Sequence, residues 1–144
     1  MSASAQVQAL SVQQWLLAYG GVLLVLLVLD AVWIGLYMTS AYKEALGELM
    51  LPQPRIAAAS VFYLAYAAGV VFLAVAPGLR ASGWQTAALH GLVLGLVAYA
   101  TYDLTNYAIL KAWPLSLALA DIAWGGFLSA AAATGGWFVA DRWA

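Results

Sequence analysis

Cysteine is absent from the 144 residues and histidine occurs once, at position 90. Without cysteine there are no disulfides, no thiolate metal sites and no thiol catalysis. One histidine does not make a multi-histidine metal centre, and no HExxH motif, histidine box or paired DxxD motif supplies zinc or di-iron chemistry. Charge is almost as scarce. Lysine and arginine number five, aspartate and glutamate six, together 8% of the chain, against about a quarter in soluble domains. So few charges do not cover a globule that faces water, so most of the surface has lipid as its solvent. The net charge of −1 and the lack of any basic run leave no electrostatic footprint for nucleic acid.

What remains is 66% hydrophobic and falls into four apolar runs. A membrane span takes about 20 apolar residues at 1.5 Å rise each. Spans are predicted at about 15–38, 55–76, 84–110 and 115–140. The N-terminal stretch MSASAQVQALSVQQ has no lysine or arginine, unlike a cleaved signal peptide, so the first run is expected to be a retained span. Residues 39–50, TSAYKEALGELM, put Tyr42, Ala45, Leu46 and Leu49 on one helical face and Lys43, Glu44 and Glu48 on others. That pattern predicts a short interfacial helix. Pro52 and Pro54 follow it, and Pro77-Gly78 is expected to end the second span. Trp15, Trp84, Trp113, Trp137 and Trp143 lie near predicted ends, where indoles favour the interface. The fold class is all-α: a single integral membrane domain, a four-helix bundle with that interfacial helix after the first span.

Small residues recur every fourth position as Ala87, Gly91 and Gly95, and as Gly125, Ser129 and Ala133. Such stripes permit close helix contact in lipid; packing within the bundle is expected ahead of a homodimer. Lys43, Arg55 and Lys111 lie on one side of the membrane, Arg80 and Arg142 on the other. The positive-inside tendency then leans toward termini that face away from the cytoplasm.

Half of the acidic residues, Asp30, Asp103 and Asp121, fall inside spans, where a charge costs on the order of 3 kcal/mol. Counting from the span ends puts all three in the same half of the bilayer, about 10 Å deep at 1.5 Å per residue. Asn106 shares a helical face with Asp103, and Tyr99 and Tyr102 are close by. Asp30-x-x-Trp33-x-Gly35 and Asp121-x-x-Trp124-x-Gly126 repeat one pattern on oppositely directed helices, a hint of an inverted repeat. His90 lies about 20 Å along its helix from Asp103 and reads as a packing or hydrogen-bonding residue. Three clustered carboxylates must be relieved by a divalent cation held by Asp30, Asp103 and Asp121, by protonation, or by Lys43 or Lys111 reaching inward. Pairing of that last kind would merely lock the helices together.

The stretches LDAVWIGLYM, YKEALGELM, FYLAYAAGVVFLAVAPGL, YATYDLTNYAILKAWP and DIAWGGFL resemble a bacterial family of predicted membrane proteins, domain of unknown function 2177. The resemblance implies the four-helix membrane fold; the family's frequent genomic proximity to enzymes of membrane-lipid modification implies a lipid-linked role. It carries no reaction and no cofactor. From the residues, the expected site is a polar pocket between the first, third and fourth helices. Asp30, Asp103, Asp121 and Asn106 form its floor and Trp33, Trp124, Tyr102 and Tyr107 its walls. Lys43 and Lys111 stand at its mouth to hold an anionic head group. The leading expectation is binding of a lipid or amphipathic molecule in a bacterial cytoplasmic membrane, with membrane lipid as partner and a homodimer or a membrane enzyme as further candidate partners. The alternatives are a proton-coupled transporter and a structural or assembly subunit.

Overall fold

A computed structural model describes residues 8–144; the first seven residues, where the lysine- and arginine-free stretch begins, lie outside the described residues. Four helices are long and apolar enough to cross a membrane, and no strand occurs among the described residues.

Helix α1 begins with Val12–Trp33, passes through a π-helical turn at Ile34–Met38 and continues as α-helix over Thr39–Leu46. Ser11 starts it with a capping box: its hydroxyl accepts from the Gln14 N–H at 3.1 Å, and the Gln14 side chain accepts from the Ser11 N–H at 2.9 Å. This satisfies two of the donors that a helix start leaves free. The interfacial segment is thus an unbroken extension of the first span. In the π turn, the Thr39 N–H and the Thr39 hydroxyl both donate to the Ile34 carbonyl. Gly47, at φ 52°, stops the helix in a conformation that glycine adopts freely. Leu49 therefore leaves the apolar face expected of it and is 82% exposed.

Helix α2 comprises Ile56–Val70, a second π turn at Val71–Val75 and Ala76–Arg80. It does not stop at Pro77-Gly78 as the sequence suggests. Proline inside a helix has no N–H for the carbonyl four residues earlier and crowds it; the π turn just before Pro77 loosens that stretch. The carbonyl in question is that of Leu73, and His90 Nδ1 sits 3.3 Å from it. This is the hydrogen-bonding role expected for His90. Gly78 is required near the end of α2, because a Cβ there would lie 2.7 Å from the Cβ of Ala87.

Helix α3 is Trp84–Ile109 and helix α4 is Leu115–Trp143. Helix α4 is the most buried of the four and lies between α1 and α3. The two small-residue stripes face each other: Gly91 meets Ser129 and Ala133, and Gly95 meets Gly125 and Ser129. In lipid, such contact is the main force available for helix association. Trp84 and Trp143 are exposed, as interfacial indoles should be, but Trp113 and Trp137 are buried. Trp113 joins Met38, Leu117 and Ala118 in a small second core beneath the α1 extension.

Helix α2 divides in its packing. Its first half rests on α1 and stands off α3, whereas its second half seats against α3. A gap is left between the first half of α2 and the second half of α3.

Candidate functional site

That gap is a cavity of about 410 Å³. Helix α1 supplies Asp30, Trp33, Ile34, Met38 and Tyr42; both ends of its π turn belong to the wall. Phe62 and Tyr66 come from α2, Ala98, Tyr99 and Tyr102 from α3, and Asp121 from α4. The rim carries the exposed side chains Ile34, Phe62 and Tyr102. Phe62 and Tyr102 lie six and seven residues inside their helix ends, about 10 Å deep by helical rise, so these exposed lining side chains are expected at hydrocarbon depth in a bilayer.

The end nearest Lys43 and Lys111 is closed. The hydroxyls of Tyr42 and Tyr102 are 3.3 Å apart, and both rings pack on Trp113 with centroids 5.7 and 5.6 Å away. Lys43 and Lys111 are exposed and line no part of the cavity. The lysine-lined mouth expected from the sequence is replaced by a lateral one, because the α1 extension folds Tyr42 over the end of the bundle.

All three membrane carboxylates are buried, with exposures of 7% for Asp30, 0% for Asp103 and 5% for Asp121. Asp30 joins three helices: its Oδ1 accepts from Trp124 Nε1 at 3.0 Å, and its Oδ2 accepts from the hydroxyl of Tyr63. Asp121 also faces the cavity, and Asp103 lies behind it with its carboxyl within hydrogen-bonding reach of Asp121. No nitrogen or hydroxyl donor among the described residues reaches either oxygen of Asp103. Two carboxyl groups hydrogen-bond only when one carries a proton. Among the described residues, no three histidine, aspartate or glutamate side chains are placed to hold a metal ion. The cation expected between Asp30, Asp103 and Asp121 therefore has no common position.

Trp33 and Trp124, matched in the sequence repeat, stack on each other. The repeat is not carried through in space. Trp124 donates to Asp30, whereas Trp33 Nε1 is buried with no acceptor. Gly35 faces open space, while Gly126 is covered by Leu96 and Leu92. Of the other expected residues, Asn106 is half-buried and Tyr107 exposed, and neither lines the cavity. The sequence expectations do not include the α2 wall. Phe62, Tyr63 and Tyr66, bulky rings spaced along one turn of an otherwise small-residue helix, were the available signal. Tyr66 is fixed to α4 by a 2.5 Å hydrogen bond to Ser129.

With this geometry established, comparison with known proteins adds one decisive match. The family described as Predicted membrane protein (DUF2177) matches residues 15–138. This chain belongs to that family. No curated protein and no solved structure matches it. The match includes every residue that lines the cavity.

Proposed function

We propose that this DUF2177 member binds a lipid or amphipathic small molecule that enters the cavity sideways from the bilayer. The observation that carries this reading is the mouth at hydrocarbon depth, leading past Phe62 and Tyr102 to buried Asp30 and Asp121. A tail in lipid and a polar group at the carboxylates would satisfy both ends, and pockets with a few polar groups among apolar walls suit such ligands. The partners in this reading are membrane lipid and, if the bound molecule is processed, a membrane enzyme or a second copy of the chain, in a bacterial cytoplasmic membrane. The test is mass spectrometry of molecules retained after purification in maltoside detergent. The wild type should retain an amphiphile that Ala98→Trp, which fills the cavity, loses. Identical extracts from the two proteins would defeat the proposal.

A second reading, proton-coupled transport, draws on the Asp103–Asp121 pair. It requires a substrate-driven proton flux in liposomes that disappears with Asp103→Asn.

A further inference from the structure

The lining of the cavity has one sign. Among the described residues, Asp30 and Asp121 are its only ionisable groups apart from tyrosines, and no lysine, arginine or histidine contributes to it. The remaining wall is aromatic to an unusual degree: Trp33, Tyr42, Phe62, Tyr66, Tyr99 and Tyr102. Phe62 and Tyr66 stack at 5.4 Å, and Tyr99 meets Tyr66 at 70°, so both faces and edges surround the space. Asp121 is buried, and among the described residues the side chain within hydrogen-bonding reach of it is another acid, Asp103. The site therefore offers acceptors and π faces, with no cation to balance them.

We infer that the cavity selects an amphiphile with a cationic ammonium head group. Aromatic faces attract such cations through their quadrupoles, and desolvation strengthens the attraction. The carboxylates supply the counter-charge that a buried ammonium needs. An anionic head group meets two acids and no donor of positive charge. The notion of an anion held by Lys43 and Lys111 fails here on geometry, because Tyr42, Tyr102 and Trp113 close that end. A neutral head group gains the apolar wall alone. This inference rests on the cavity being a binding site and names what it binds.

The test compares three probes with the same twelve-carbon tail, titrated into the full chain in maltoside micelles and read by tryptophan fluorescence and thermal shift. They are dodecyltrimethylammonium, dodecyl tetraethylene glycol ether and dodecyl phosphate. The cation should bind saturably and at least about tenfold more tightly than either of the others. Asp30→Asn takes away a cavity charge that no neighbouring acid replaces and should remove most of that preference. Asp141→Asn, at the far end of α4, should leave it intact. Phe62→Leu changes an exposed residue and keeps an apolar surface, so it should fold; it should weaken the cation about threefold and leave the neutral probe unchanged. Equal binding of cation and neutral probe overturns the inference but leaves an amphiphile site. Tighter binding of the phosphate, or a cation preference lost equally in Asp141→Asn, also overturns it. No saturable binding by any probe overturns the proposed function as well.

Discussion

The indoles of Trp33 and Trp124 stack 4.6 Å apart and within 4° of parallel, yet only Trp124 has an acceptor for its N–H, the Oδ1 of Asp30. Two residues in matched sequence positions thus do different work. Trp124→Phe keeps a ring in the stack and takes a donor from a buried carboxylate, so it should cost about 1 kcal/mol or more. Trp33→Phe removes an N–H that already lacks a partner and should cost clearly less. Unfolding in mixed micelles, with both variants measured side by side, checks the order. Equal losses would mean that the hydrogen bond contributes nothing.

Close approach of α3 to α4 gives the second expectation. A Cβ on Gly95 would lie 2.6 Å from the Ser129 hydroxyl, and closer still to the Gly125 carbonyl. Gly95→Ala should therefore destabilise by about 2–3 kcal/mol, the range for overpacking. Gly20 has nothing within 4 Å of its missing Cβ, and Gly20→Ala should stabilise by about 0.5 kcal/mol through the helical preference of alanine. Denaturant titration of the two alanine variants separates the effects by sign.

How much of this was legible in the sequence follows from what each feature depends on. The spans depend on composition, and Asp30, Asp103 and Asp121 share a depth because helical rise is constant; counting recovers both. Which wall faces which depends on helix rotation and tilt, and counting does not supply those. Pro77 reads as a terminator in the sequence, but a π turn absorbs it and lets α2 continue to Arg80. The first half of α2 then stands off α3, which makes the lateral mouth and brings Phe62 and Tyr66 into the site. Lys43 and Lys111 share a membrane side with the carboxylates, but the side chain of Tyr42 intervenes. Asn106 shares a face with Asp103 and still misses the cavity, because Asp103 itself lies behind Asp121.

The partnership of Pro77 and His90 is open to a double-mutant cycle. Pro77 offers no N–H to the Leu73 carbonyl, and His90 approaches that carbonyl from α3. His90→Ala should destabilise the wild type by about 0.5–1 kcal/mol, the scale of hydrogen bonds between membrane helices. Pro77→Ala restores the helical donor, and on that background His90→Ala should be close to neutral. The coupling between the two changes is then about the full single-mutant effect. Strictly additive effects would show that the two residues act apart.

The carboxyl pair yields a spectroscopic expectation that does not depend on any ligand. Asp103 and Asp121 face each other within hydrogen-bonding reach, and no other donor among the described residues serves Asp103. A shared proton is the one way for two carboxyl oxygens to bond. The infrared spectrum of the folded protein should therefore contain the carbonyl band of a protonated carboxyl group, shifted in deuterium oxide. Asp103→Asn and Asp121→Asn should each abolish it, since the asparagine amide donates in the proton's place and leaves the remaining partner ionised. Asp30→Asn should leave it, because Asp30 already receives the Trp124 N–H and the Tyr63 hydroxyl. A band that survives both pair variants and vanishes with Asp30→Asn would assign the proton to Asp30 and dissolve the pair.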